Sequence, residues 1–239
     1  MEPTFAGKTV LVAGGTGGLG HAVSLKFLEH GANVAVTYRH EQELASTRNA
    51  AGEKSDRLSG FAVDVTDIAA NEGLVQQILS RSGTLDAMVN CVGGYAGGIK
   101  AWELDEETLD RMLNLNLRAG YALVHAVVPA MLRQGRGAIV QINAKAAFDH
   151  GAGAAAYAAS KAAALALTGS LAADLKGTGV RVNSILPSII DTEANRAAMP
   201  DADFSTWPKP EDIASVALFL CSDAARVIHG ASIPVYGNS

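Results

Sequence analysis

The sequence predicts one α/β domain, a doubly wound parallel sheet with helices on both faces. Three observations carry that expectation. Short apolar runs rich in β-branched residues alternate along the chain with longer stretches of helical periodicity. The runs are apolar at successive positions rather than at every second one, as strands covered on both faces must be. No linker, repeat or block of charge divides the 239 residues, so 1–239 reads as a single domain.

The elements follow in order. Lys8–Gly14 ("KTVLVAG") is expected as a buried strand, and His21–Gly31 ("HAVSLKFLEHG") as a helix ended by its glycine. Asn33–Arg39, Arg57–Val65 and Leu85–Gly94 read as the second, third and fourth strands. A helical stretch through Leu109–Leu132 leads to a fifth strand at Gly137–Asn143. An alanine-rich helix around 152–173 precedes the sixth strand, Val180–Ser188. A last helix, Pro210–Asp223, and a short strand near Ser232–Gly237 close the pattern. The segment Ala198–Pro210 carries three prolines and is expected as a surface lid over the carboxyl end of the sheet.

Composition narrows the functional classes. With 49% hydrophobic and 18% charged residues the chain is an ordinary globular one. A net charge of −5 argues against nucleic-acid partners and anionic membrane surfaces. The run around 152–173 is mostly alanine, interrupted by Lys161, Thr168 and Ser170, and is too mildly apolar to read as a membrane span. No secretory signal is expected at the N-terminus. Cys91 and Cys221 offer neither a metal-ligand spacing nor a disulfide framework, so no metal site is expected and a reducing cytoplasm is the expected location.

The first strand runs into "AGGTGGLGHA", with Gly14, Gly18 and Gly20 at the turn into the first helix. Glycines there let the chain turn tightly and let a pyrophosphate approach the unpaired N–H groups and positive dipole end of the helix. That placement predicts a Rossmann-type dinucleotide site. The end of the second strand should choose the nucleotide: an acid would take the ribose 2′-hydroxyl of NAD, an arginine the 2′-phosphate of NADP. Tyr38, Arg39 and His40 stand there, which favours NADP(H) over NAD(H). Asp64 and Val65, after the third strand, are placed to meet the adenine.

Within "QINAKAAFDHGAGAAAYAASK", Tyr157 and Lys161 are four residues apart and share a helix face. An ammonium beside a phenol favours the phenolate, so Tyr157 is expected to have a lowered pKa and to exchange protons near neutral pH.

Together these motifs resemble the short-chain dehydrogenase/reductase family over essentially the whole chain. The resemblance rests on the Gly14, Gly18 and Gly20 loop, "NCVGG" from Asn90, "NLNL" with Asn116, the Tyr157–Lys161 pair, and "PSIIDT" from Pro187 to Thr192. It implies a nicotinamide cofactor held by the loop (including Thr16 and Leu19), by Asn90, Val92 and Gly93, and by Pro187, Ile190 and Thr192, the last two on the carboxamide. It implies that Asn116 relays protons through a water to Lys161, that Lys161 also holds the nicotinamide ribose, and that Tyr157 is the proton donor. It further implies burial of the long helices across a two-fold interface, hence a homodimer or homotetramer. The family's catalytic serine falls at Ala144.

"CVGGYAGG" (Cys91–Gly98), "AKAAFDHGAG" (Ala144–Gly153) and "DTEANRAAMPDADFSTW" (Asp191–Trp207) are similar to the dihydropteridine reductase branch, which also lacks the serine. That branch implies hydride transfer to quinonoid dihydropterin, a substrate whose developing charge is delocalised and needs fewer donors than a ketone oxygen. It places Tyr95, with Ala144 and Tyr157, beside a flat heterocycle. The chain departs from the branch at Tyr38, where an acid is expected, and at Asn116. Two other functions fit the same residues: an NADPH-dependent reductase of another carbonyl or quinonoid compound, and a non-catalytic NADP-binding sensor suggested by Ala144.

Overall fold

The computed structural model describes residues 4–238. Among the described residues seven strands and eight α-helices alternate: β1 (Thr9–Ala13), α1 (Gly18–Glu29), β2 (Asn33–Tyr38), α2 (Glu41–Ala51), β3 (Leu58–Ala62), α3 (Ile68–Ser82) and β4 (Ala87–Asn90) come first. They are followed by α4 (Glu106–Leu113), α5 (Ala119–Gln134), β5 (Gly137–Ile142), α6 (Ala155–Asp174), β6 (Val180–Pro187), α7 (Glu193–Ala198), α8 (Pro210–Cys221) and β7 (Ser232–Val235). The expected strands are all present, though β3 and β4 stop short of Val65 and Gly94 because the chain turns into site loops there. Helices α2 and α3, only implied by the alternation, fill the gaps around β3.

The sheet is parallel throughout, in the order β3-β2-β1-β4-β5-β6-β7. All five residues of β1 are buried, as the continuous apolar pattern requires. One core layer sets Val10, Val12, Val34, Val36 and Val140 against α1 and α8 through Val23, Phe27, Ile213 and Leu218. On the other face Leu11, Met88, Ile139 and Val182 meet α3 and α5 through Leu74, Ile78, Leu123 and Val127. Two of the helix ends follow local rules. Asp67 caps α3 by accepting from the Ala70 N–H at 3.0 Å, and Gly135, at φ 67°, ends α5 in the left-handed conformation.

The stretch from Glu106 to Gln134 is one continuous helix of 29 residues, apolar and long enough to cross a bilayer, but 56% of its apolar window is buried within the fold. It widens into a π-helical turn at Asn114–Arg118, a device frequent at functional sites. The sheet edges are short. β3 has five residues, with the Arg81 guanidinium 5.2 Å over the Phe61 ring, and β7 has four, with Pro234 among them.

Leu123 is wholly buried between α5 and the sheet. Leu123→Ala is expected to lower the unfolding free energy by about 2–5 kcal/mol through lost transfer energy and an unfilled cavity, read as a lower urea midpoint with an unchanged slope.

Candidate active site

The chain leaves β1 and β4 at the point where the strand order reverses, so their following loops face one crevice at the carboxyl ends of the strands. Gly14 has φ 69°, and its N–H donates to the Thr37 hydroxyl on β2 at 2.8 Å. A Cβ on Gly20 would overlap the Gly14 carbonyl oxygen, so only glycine lets the first turn of α1 close on the loop. A Cβ on Gly15 would stand 2.5 Å from a Val36 methyl, a constraint the motif spacing did not reveal. Helix α1 starts from Gly17 without a side-chain cap, leaving the N–H groups of Gly18, Leu19 and Gly20 at its positive end. The Leu19 side chain itself is buried in the core.

A cavity of about 560 Å³ runs along this edge, lined by Gly14, Thr16, Gly17, Thr37, Tyr38, Arg39, Glu43, Asp64, Val65, Val92 and Gly93 among others. It thus brings together eight of the sequence-predicted cofactor residues in a volume typical of ligand sites. The Tyr38 hydroxyl donates to Glu41, and that bond holds its pKa above the ordinary phenol range. Asp64 is held below the usual carboxylate range by hydrogen bonds from the Thr66 N–H and hydroxyl, with Arg39 adding a smaller pull. Glu43 was not expected in this cavity. Its carboxylate accepts from the Thr16 hydroxyl at 3.0 Å.

Beyond β4, Asn90 is buried and structural: it donates to Gln141 at 2.8 Å and accepts from the Val92 N–H at 3.0 Å, closing the turn. The Asn116 side chain accepts from the Gly94 N–H at 2.9 Å and donates to the Gly94 carbonyl at 3.0 Å and to the Ser160 hydroxyl at 2.9 Å. Its amide therefore clamps the β4 loop to α6. Asn116 Oδ1 and Lys161 Nζ both flank Gly93, at 2.9 and 3.2 Å from where a Cβ would stand. Lys161 is buried and donates to the Ile142 carbonyl at 3.3 Å.

Tyr157 and Lys161 do meet, with the ammonium 6.0 Å from the centre of the phenol ring. The expected lowering of the tyrosine pKa is corrected by the structure. Burial, with Tyr95 as a lesser cause, pushes Tyr157 up to about 12, and burial brings Lys161 down to about 8. At this distance desolvation outweighs the attraction between the two groups. Tyr157 accordingly keeps its proton across the physiological range. Tyr95 meets Tyr157 edge-on, ring centres 5.0 Å apart, and is itself 68% exposed. A Cβ on Gly97 would overlap the Tyr95 hydroxyl, so the loop glycine sets that ring's position. Ala144 is buried in extended backbone just before a short 3₁₀ turn, Lys145–Ala147.

Pro187 ends β6, and the following loop carries Ile190 and Thr192 back towards the glycines: the Thr192 methyl lies 3.3 Å from the position of a Gly18 Cβ. Thr192 caps α7 by accepting from the Asn195 N–H at 3.2 Å. The segment 198–210 is more anchored than a free loop. Trp207 is buried, Phe204 packs against it at 5.0 Å, and the Pro208 carbonyl accepts from the Asp191 N–H.

A parallel sheet with a glycine-loop crevice at its switch point and a tyrosine–lysine pair at the crevice's end defines an NAD(P)-dependent oxidoreductase. The chain belongs to the short-chain dehydrogenase/reductase family, whose profile, described as short chain dehydrogenase, matches residues 8–203. It is 29% identical to the 3-oxoacyl-[acyl-carrier-protein] reductase of Thermotoga maritima over 97% of each chain. It is 32% identical to the D-threitol dehydrogenase of Mycolicibacterium smegmatis over 97% of this chain and 92% of that one. A short-chain type dehydrogenase/reductase from Mycobacterium ulcerans superposes with a TM-score of 0.92 at 29% identity, over 98% of this chain and 90% of that one. None of these three is named as a dihydropteridine reductase.

Two outcomes are expected from this geometry. The unfolded chain keeps the Lys161 proton up to pH 10.5, while the folded chain releases it near 8. Stability is therefore expected to rise with pH across that window, by about 3 kcal/mol. Urea unfolding of the unmodified protein against Lys161→Met, at several pH values, isolates this contribution as a rise present only in the former. Gly97→Ala is expected to push Tyr95 off Tyr157 and to cost about ten- to hundredfold in kcat/KM, with cofactor affinity unchanged. Steady-state kinetics beside a cofactor titration separates the two effects.

Proposed function

We propose that this chain is an NADP(H)-preferring reductase of a flat, conjugated small molecule, with quinonoid dihydropterin as the leading substrate. The observation that carries the reading is the pairing of Tyr157 with an exposed Tyr95 ring beside a site that has no hydroxyl at Ala144. A flat heterocycle can lie against Tyr95, and a delocalised charge can be met by one proton donor. The glycine loop, the N–H groups opening α1 and the long cavity fit a dinucleotide. A bound nicotinamide supplies the hydride.

The chain's own residues do the rest. Gly14, Thr16, Gly18, Leu19 and Gly20 hold the pyrophosphate, Asp64 and Val65 the adenine, and Arg39 beside Tyr38 the 2′-phosphate. Val92, Gly93, Pro187, Ile190 and Thr192 line the nicotinamide end, with Asn90 and Asn116 fixing the loop behind them. Lys161 holds the ribose and, when charged, makes the Tyr157 proton easier to release. Tyr157 keeps that proton on its hydroxyl until the substrate takes it. Segment 198–210 closes over the substrate, and the enzyme works in the cytoplasm as a homodimer or homotetramer.

A second reading, reduction of an ordinary carbonyl or oxidation of a polyol, is favoured by the relatives that act on 3-oxoacyl groups and on threitol. A purely binding role is disfavoured by the burial of Lys161 beside Tyr157, a costly arrangement for a protein that only senses nucleotide. Cofactor oxidation followed with quinonoid dihydropterin, simple ketones and a 3-oxoacyl thioester separates the readings: brisk pterin reduction supports the first, and ketone reduction without it supports the second. Tyr157→Phe is expected to lower turnover by about 10²–10⁴-fold on whichever substrate is used, with cofactor affinity little changed. Full activity in that variant would move the proton donor elsewhere.

A further inference from the structure

The adenosine end of the cavity holds an acid that no motif announced. Glu43 is the third residue of α2, a position from which a glutamate ordinarily folds back onto the N-cap backbone of its own helix. Here it does not. α2 has no side-chain cap, and the half-buried Glu43 carboxylate instead reaches the glycine loop, where the Thr16 hydroxyl donates to Oε2 at 3.0 Å. Its backbone is fixed as well: the N–H donates to the His40 carbonyl at 3.0 Å, and the Thr47 hydroxyl donates to the Glu43 carbonyl at 2.9 Å. Glu43 lines the same cavity as Arg39 and Asp64; Asp64 is engaged by the Thr66 N–H and hydroxyl, and Glu43 is the carboxylate that reaches the glycine loop. The neighbouring Glu41 differs, being exposed and engaged by the Tyr38 hydroxyl.

We propose that Glu43 is a specificity-determining residue for the dinucleotide, accepting hydrogen bonds from the vicinal hydroxyls of an adenosine ribose and opposing a 2′-phosphate. A carboxylate is an acceptor only, and a ribose diol offers two O–H donors. A phosphate monoester carries close to two negative charges and three acceptor oxygens, so it has nothing to donate and much to repel. Cofactor choice is then a difference between the attraction of Arg39 and the repulsion of Glu43. The usual acid at the end of β2 is replaced by Tyr38, and the first turn of α2 brings a substitute back to the cavity five residues later. This inference rests on the dinucleotide binding mode proposed above.

Glu43→Gln keeps the side chain's length and its hydrogen bond to Thr16 while removing the charge. Dissociation constants for NADH and NADPH, measured by fluorescence titration of the full chain at low and high salt, test the proposal. The expected result is a shift of the affinity ratio towards NADPH by about tenfold, the equivalent of ~1.4 kcal/mol, shrinking at high salt because the effect is one of charge. An unchanged ratio, or a parallel loss of both affinities as a merely structural residue would give, overturns it. Arg39→Ala, measured alongside, tests the NADP(H) preference separately. If the unmodified protein binds NADH more tightly, that preference fails, and the same ratio in Glu43→Gln still decides the role of Glu43: a rise sustains it, a fixed value overturns it.

Discussion

The reversal of strand order between β1 and β4 is the constraint on which the rest of the site depends. β1 pairs with β2 on one side and with β4 on the other, so the chain departs from β1 and β4 towards opposite faces of the sheet. The crevice that opens between them needs no shaping by side chains. What must be arranged is the close approach of α1, which is why Gly20 stands against the Gly14 carbonyl and Gly15 against Val36. The rest of the candidate site hangs on the same parallel sheet: Arg39, Asp64, Val92 and Gly93 on loops that leave its strands, and Asn116, Tyr157 and Lys161 on helices packed against it.

Within that frame the electrostatics follow from burial rather than from pairing. Among the described residues the Lys161 ammonium has one hydrogen-bond acceptor, the Ile142 carbonyl, so it is poorly compensated. Tyr157 keeps its proton for the mirror-image reason, since a phenolate would be the poorly solvated form. The same burial therefore loosens the proton on one group and tightens it on the other, and two pKa values that ordinarily lie close together move apart, each towards its neutral form. Cys91, next to Lys161 electrostatically, is pushed up to about 12 by burial and remains a thiol.

Much of this was legible in the sequence. The strands showed themselves because a parallel sheet covered on both faces leaves uninterrupted apolar runs, and β1 reproduces that pattern at all five positions. The glycine loop and the Tyr157–Lys161 spacing were legible because each is a local requirement written at fixed offsets. Glu43 was not, because a glutamate in the first turn of a helix looks like an ordinary partner of the helix dipole, and only the packing of α2 beside the glycine loop turns it into the cavity. Gly97 escaped for a similar reason: its need to be glycine comes from the Tyr95 ring lying across it. The direction of the Tyr157 shift is not legible in the sequence, because helix spacing reports which side chains are neighbours and says nothing of how dry they are.

The two strands that bound the sheet have a further consequence. An all-parallel sheet built from near-continuous apolar strands is a strong template for other chains wherever an edge is left open. β3 ends the sheet after five residues, with Arg81 lying across the Phe61 ring beside it. β7 is shorter still, and Pro234 removes one of the donors that an added strand would need. Growth of the ladder is thus hindered at both margins, because an added strand finds few residues to pair with at β3 and one donor fewer at β7. Two short, blunted edges therefore lower the tendency of so valine- and isoleucine-rich a sheet to seed fibres.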